Sequence, residues 1–461
     1  MMRALNLVEL EAPLQARREG PDRAFSAVAT DSRRVRPGDL FVALQGENFD
    51  GHDFLDQAVA AGAVAALVSR PQPVALPQLL VADTQVALGR LGAYNRSLYR
   101  GPLVAITGSS GKTTVKNMVR SVLAQRGRTL ATEGNLNNEI GVPLTLLRLQ
   151  PDVEFAVVEM GAARYGDIRW LCEIGRPTVA LLLNAMAAHL EGFGSVEDVA
   201  AAKGEMFDGL DAGQFAVINA DQPFAAQWRQ RAEPATILDF GVASPAAFTA
   251  RNIQTLGVRG VSFVAVTPQG EIQVKLGLPG AHNVGNALAA MAVGCACGLD
   301  LEEIKAGLEA VQATGGRLAV SVAASGAALI DDCYNANPGS VRAAIDVLAA
   351  CGGRRILVLG AMLELGERSE QLHREVGAYA ATVGLERFYG VGSQLQAAVN
   401  AFGAGARWFP DCAAATAALA TEFGDGDTVL IKGSRGARME RLLHALQAGE
   451  PEQGGESCCC G

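Results

Sequence analysis

Short apolar runs alternate with longer amphipathic stretches along most of this chain. That is the pattern of strands buried on both faces and of helices that cover them. In residues 1–99 the runs at 41–44, 64–68 and 79–81 predict strands, with a helix at 54–61. From 100 to 313, the runs at 103–107, 155–159, 179–183 and 215–219 predict strands separated by helical stretches. From 314 to 461, strands predicted at 328–331, 355–359, 387–391 and 428–431 alternate with helices at 341–350, 370–381 and 436–447. The alternation predicts an α/β chain of three domains: a smaller N-terminal α/β domain (1–99), a central doubly wound parallel sheet (100–313) and a C-terminal Rossmann-like α/β domain (314–461). No internal repeat is visible beyond this shared pattern.

Composition narrows the class. A length of 461 residues suits about three domains, and 49% apolar residues suffice for their cores. A net charge of −9 argues against a nucleic-acid surface, so anionic ligands must be met by local sites. No apolar run reaches the ~18 residues of a membrane span, and no secretory leader is visible. The nine cysteines show no zinc spacing, and Cys458, Cys459 and Cys460 fall in a Gly/Glu-rich tail that reads as solvated. A cytoplasmic protein with reduced thiols is expected, with no nucleic acid and no membrane insertion.

The most informative run is Thr107-Gly108-Ser109-Ser110-Gly111-Lys112-Thr113-Thr114. It follows the apolar run 103–106 and opens a helix predicted over 113–125. Strand, Gly-rich turn and helix N-terminus make a phosphate cradle: backbone N–H groups face the anion and a lysine neutralises the outer phosphates. Thr113 is placed to offer its hydroxyl to magnesium. The general P-loop has Gly six residues before the lysine, where this chain has Ile106, so the loop is a variant.

Other polar residues gather at predicted strand ends, where open α/β sheets bind ligands. Glu159 ends one strand and suits a hard cation. Asn184 to Glu191, with His189, follows the next. Lys203 lies in a helical stretch and, read alone, is a surface residue. Asn283 and Asn286 fall on one helix face, where an amide can cap a helix or read an adenine edge. Gly315-Gly316-Arg317 and Asp331-Asp332-Cys333-Tyr334-Asn335-Ala336-Asn337-Pro338 open the third unit. An Arg and an Asp facing the P-loop across a cleft would close on ATP, although Asp331 and Asp332 also read as simple N-caps.

These segments, in this order, resemble the Mur ligase family of ATP-dependent amide-forming ligases. The resemblance rests on the P-loop variant and the run from Gly134 through Asn138 to Pro143. It rests also on Glu159-Met160-Gly161, Ala188-His189-Leu190-Glu191, Ala202-Lys203-Gly204-Glu205 and Pro279-Gly280-Ala281-His282-Asn283. Asp331–Pro338, Gly360-Ala361-Met362-Leu363-Glu364-Leu365-Gly366 and Lys432-Gly433-Ser434-Arg435 complete it. The resemblance implies ATP and Mg2+ as cofactors, and UDP-muramoyl-tripeptide and D-Ala-D-Ala as substrates of a monomeric enzyme. It implies catalytic roles for Lys112, Glu159, His189 and Lys203. Magnesium ligation falls to Thr113, Glu159, His189 and Lys203, the last as a carbamate. Nucleotide contacts fall to residues 107–114, Asn283, Arg317 and Asp332. The UDP-sugar falls to Asp31, Ser32 and Arg33 and to the run Gly46-Glu47-Asn48-Phe49-Asp50-Gly51-His52, with Asn138 also on the substrate. Cys333 departs from the serine usual in the family, and Ala313-Thr314-Gly315 from the common lead-in. A sister ligase adding one amino acid and a folylpolyglutamate synthase-like ligase share the central and last units. An ATP-driven switch without bond formation is the reading from another class.

Overall fold

The computed structural model describes residues 2–46, 48–187 and 190–448. The N-terminal sheet holds β1 (Arg17–Glu19), β2 (Ala27–Ala29), β3 (Asp39–Val42), β4 (Ala65–Val68) and β5 (Gln78–Leu80), in the order β1-β5-β4-β3-β2. Only the edge strand β1 is antiparallel. Strands β3 and β4 are buried at every residue, which is why their unbroken apolar runs were legible.

Helix α1 (Thr84–Leu98) is capped by Asp83, whose carboxylate accepts the N–H groups of Gln85 and Val86. The helix ties this domain to the next. A Cβ on Gly89 would stand 2.6 Å from the Trp170 ring, so only glycine admits the contact. Asn95 donates to Leu146 O at 2.8 Å and Arg96 donates to Gly175 O at 2.8 Å, which fastens the junction with buried hydrogen bonds.

The central sheet is fully parallel. It comprises β6 (Leu103–Thr107), β7 (Thr129–Ala131), β8 (Phe155–Glu159), β9 (Val179–Leu182), β10 (Phe215–Asn219) and β11 (Thr236–Phe240), in the order β11-β10-β9-β6-β8-β7. Helix α2 (Lys112–Leu123) follows β6, and α3 (Asp167–Gly175), α4 (Val196–Gly204) and α5 (His282–Ala296) complete the layers named below. Register sets Glu159 against Ile106 and Leu182 against Thr107, so the polar strand ends share one edge with the P-loop. The sequence reading missed β7 and β11, which are short or half-buried. It also missed an antiparallel ribbon of β12 (Thr249–Thr255), β13 (Val261–Thr267) and β14 (Gly270–Leu276). Its outer strands are exposed and largely polar and carry little apolar signal; β13 is the buried one.

The C-terminal sheet holds β15 (Ala319–Val322), β16 (Ala328–Asp332), β17 (Arg354–Gly360), β18 (Arg387–Val391), β19 (Ala406–Phe409) and β20 (Asp427–Lys432), in the order β15-β16-β20-β17-β18-β19. All neighbours are parallel except β15. One apolar layer is covered by α6 (Pro338–Ala349) and α7 (Ser369–Thr382), the opposite one by the helix Cys412–Leu419 and α8 (Glu440–Ala448). The last helix starts later than the 436 expected. Arg435–Ala437 forms a 3-10 turn and Arg438 takes a left-handed φ of 51°, which interrupts the spiral. No helix among the described residues is long and apolar enough to cross a membrane.

Candidate active site

The P-loop takes its expected place between β6 and α2. Gly111 caps the helix at φ 82°, a conformation glycine adopts without strain, and a Cβ there would press on the Asn286 amide at 3.2 Å. Asn184, from the loop after β9, braces the cradle: its Oδ1 accepts Ser110 N–H at 2.9 Å and its carbonyl accepts Ser109 N–H. Lys112 Nζ donates to Gly108 O at 2.7 Å, folded back over the loop. Burial lowers its pKa; Glu159 opposes that shift and Arg317 adds to it.

Glu159 sits at the end of β8, 2% exposed. Its Oε2 accepts from the Thr113 hydroxyl at 2.8 Å and its Oε1 from Asn137 Nδ2 at 2.9 Å. Lys116, one helical turn past Lys112, lies 3.9 Å from Oε2 and is 4% exposed. A buried carboxylate bonded mostly to neutral donors, beside a hydroxyl on a phosphate cradle, is an oxygen set that suits a hard cation such as magnesium. No three His, Cys, Asp or Glu side chains converge on a metal position among the described residues. His189 lies outside the described residues, as do Glu47 and the Cys458–Cys460 tail.

The opposite wall comes from the C-terminal domain. Arg317 Nη2 donates to Thr113 Oγ1 at 2.9 Å, spanning the cleft, and its guanidinium lies 4.1 Å from the centre of the Tyr334 ring. Asp332 pairs with Lys432 at 2.5 Å, and Lys432 also donates to Asn335 O. Asp331 accepts Gly316 N–H at 2.7 Å and so shapes the loop that aims Arg317. Neither acid caps a helix; Asn337 caps α6 instead. Asn283 is buried, donates to Pro279 O and accepts from Asn286, so its amide is engaged within its own helix start. Ser109 to Thr114, Asn138, Glu159, Asn283, Arg317 and Asp332 all border one cleft of about 560 Å3. That volume lies within the range of small-molecule and cofactor sites.

Lys203 is no surface residue. It is 1% exposed, and burial, with a smaller push from Lys112, lowers its pKa to about 7, while Asp167 acts the other way. The Ala-Lys-Gly-Glu run has a second function that the sequence did not reveal. Gly166 caps α3 but has no side chain to do it with; buried Glu205 accepts the N–H groups of Gly166 and Arg169 in its place. This holds the 163–167 turn against the cleft. Glu205→Ala is expected to lower stability by about 1–2 kcal/mol, the worth of a lost cap, read as a lower urea midpoint at constant slope.

Asp31, Ser32 and Arg33 do not border the cleft. Asp31 accepts Arg33 N–H at 3.0 Å and pairs with its guanidinium at 2.8 Å, which holds the carboxyl below its usual value. Ser32 Oγ donates to Gln57 Oε1 at 2.9 Å. Sequence reasoning gave no role to Asn137, Tyr334 and Lys432, which border the cleft, or to Lys116, which lies buried beside Glu159. Asn137, Tyr334 and Lys432 fall in runs that carried the resemblance, and the signal for Lys116 is its i+4 spacing from Lys112.

Fold and cleft together define a P-loop ligase, and the chain belongs to the Mur ligase family. The family's models match as "Mur ligase family, catalytic domain" over residues 24–92, "Mur ligase middle domain" over 106–294 and "Mur ligase, glutamate ligase domain" over 316–435. Within the family, the chain is 46% identical over 449 residues to the UDP-N-acetylmuramoyl-tripeptide–D-alanyl-D-alanine ligase of Escherichia coli K12, covering 97% of this chain and 99% of that one. It superimposes on a crystal structure of MurF from Acinetobacter baumannii with a TM-score of 0.93 at 38% identity, covering 97% and 99% of the two chains. The MurF ligase from Thermotoga maritima, solved in complex with ADP, gives a TM-score of 0.82 at 31% identity over 92% of this chain and 97% of that one.

Proposed function

We propose that this chain is an ATP-dependent ligase that joins D-alanyl-D-alanine to UDP-N-acetylmuramoyl-tripeptide in cytoplasmic peptidoglycan-precursor synthesis. The observation that carries the reading is the cleft itself, where Arg317 of the last domain meets Thr113 of the P-loop at 2.9 Å. In this reading residues 1–99 hold the UDP-sugar, 100–313 hold ATP and 314–461 close over both. A carboxylate oxygen of the tripeptide attacks the γ-phosphorus of ATP, and ADP leaves. The dipeptide amine then attacks the acyl-phosphate carbonyl, phosphate leaves, and the amine proton passes to solvent.

The chain's own residues position charge and exclude water. Lys112 and Arg317 approach the transferred phosphoryl group from the two walls of the cleft, and positioning with charge stabilisation supplies most of phosphoryl-transfer catalysis. Residues 107–114 cradle the phosphates, and Asn283 and Asp332 flank the rest of the nucleotide. Thr113, Glu159, His189 and carbamylated Lys203 would hold magnesium, which when bound neutralises charge on the phosphate oxygens. Asn138, which borders the cleft with its Oδ1 accepting Gly141 N–H at 2.9 Å, would contact the substrate there.

The test is product mass. With ATP and UDP-muramoyl-tripeptide, D-Ala-D-Ala yields UDP-muramoyl-pentapeptide, and single amino acids with UDP-muramoyl-dipeptide yield nothing. Phosphate release that ignores the acceptor would favour a switch instead. A second outcome checks the first domain. Arg33→Ala is expected to raise KM for UDP-tripeptide roughly 10-fold, the order of one charged hydrogen bond, and to leave KM for ATP near its original value. Equal loss for both substrates would count against a separate UDP site.

A further inference from the structure

Two motifs remain without a function: residues 360–366 and 432–435. The structure laces them together at the carboxyl ends of β16, β17 and β20. Ser434, buried, donates its N–H to Ala361 O at 3.0 Å and its hydroxyl to Ala336 O at 3.2 Å, and its Oγ accepts Leu363 N–H at 2.9 Å. Such a meeting of strand ends is where open α/β sheets place ligands. The backbone there is also constrained: Glu364, not a glycine, takes φ 61°.

Among the described residues Arg368, Arg435 and Arg438 near this junction carry no ion pair, and of these Arg435 is the one that lies at the Tyr334 ring. Around the cleft, Lys112 bonds Gly108 O, Lys116 lies beside Glu159, Arg317 bonds Thr113 and Lys432 bonds Asp332. Arg435 is exposed and, among the described residues, its guanidinium has no carboxylate or hydrogen-bond partner; it lies 5.7 Å from the centre of the Tyr334 ring. Beside it Leu363 offers 41% exposed apolar surface, close to Gly436.

We propose that Arg435 and the exposed face of Leu363 form the acceptor subsite, in which Arg435 binds the terminal carboxylate of the dipeptide and Leu363 meets its methyl groups. The proposal rests on the ligase reading above. Length supports it. An extended dipeptide spans about 7 Å. With its carboxylate on Arg435, its amine passes the Tyr334 ring and arrives near Arg317, whose guanidinium is 4.1 Å from that ring and bonded to the P-loop threonine. A planar guanidinium suits a carboxylate in a bidentate pair.

The test compares D-Ala-D-Ala with D-alanyl-D-alaninamide, which keeps the amine and loses the carboxylate charge. The wild-type protein is expected to favour the free acid in kcat/KM by roughly 10- to 100-fold, the factor set by one charged hydrogen-bonded pair. Arg435→Gln should erase that preference through KM for the dipeptide, with KM for ATP and for UDP-tripeptide nearly unchanged. Arg435→Lys, which keeps the charge, should keep part of the preference. A wild-type protein indifferent to the amide, or an Arg435→Gln variant that still prefers the free acid as strongly, would overturn the subsite. Absence of any pentapeptide from the wild-type protein would instead overturn the ligase reading beneath it.

Discussion

Lys112→Ala is expected to lower kcat by roughly two orders of magnitude or more, with the fold intact. The lysine reaches back over the loop to Gly108 O at 2.7 Å, a bond that fixes its position in the cradle. A donor fixed in advance costs no reorganisation when charge develops on the phosphoryl group, which is why its removal weighs on the rate rather than on folding. The cradle around it is braced by Asn184 and by the glycine cap at Gly111, neither of which depends on the lysine. Lys112→Arg is expected to fail as well, since a branched guanidinium does not fit the turn that the straight chain makes. The check is single-turnover phosphate release alongside a thermal melt. A near-native kcat in Lys112→Ala would remove the phosphate role.

Lys203→Ala is expected to cost activity at least ~100-fold, as loss of support at a metal site does. Lys203→Arg should be equally inactive, because a guanidinium cannot become a carbamate. A carbamate forms from the neutral amine and CO2. Burial and the charge of Lys112 bring this amine to about pKa 7, so its neutral fraction grows as pH rises through 7. The sign of the stability effect follows. The ordinary value is 10.5, so between about 7 and 10.5 the unfolded chain holds a proton that the folded one lacks. Stability from this group therefore rises with pH across that window and is lost as pH falls to 7. Activity in CO2-depleted buffer should recover on adding bicarbonate, and acetate or formate should restore part of it to Lys203→Ala. Full activity in Lys203→Arg would show that a cation suffices there.

Legibility followed burial and local pattern. Strands β3, β4, β6, β8 and β10 are buried runs bounded by turn residues, and each was visible. The ribbon of β12 to β14 was not: its outer strands face solvent, and the buried β13 was missed with them. The P-loop was legible because strand, turn and helix signals are contiguous. The exact partners of long-range contacts were not, although an Arg and an Asp were expected to face the P-loop across the cleft. Arg317 and Thr113 are 204 residues apart, and Asp332 and Lys432 are 100 apart; nothing local announces either contact. Lys203 looked exposed because its helix is short and lacks a clear apolar face, and its burial comes from tertiary packing. Glu205 capping α3 from 36 to 39 residues away is the same kind of fact.

The most direct test of the central claim follows an oxygen atom. UDP-muramoyl-tripeptide labelled with oxygen-18 in its terminal carboxylate is incubated with ATP, D-Ala-D-Ala and the protein, and the released phosphate is weighed by mass spectrometry. The acyl-phosphate route leaves one labelled oxygen in each phosphate, formed in step with pentapeptide. Unlabelled phosphate, or phosphate released without pentapeptide, would contradict it.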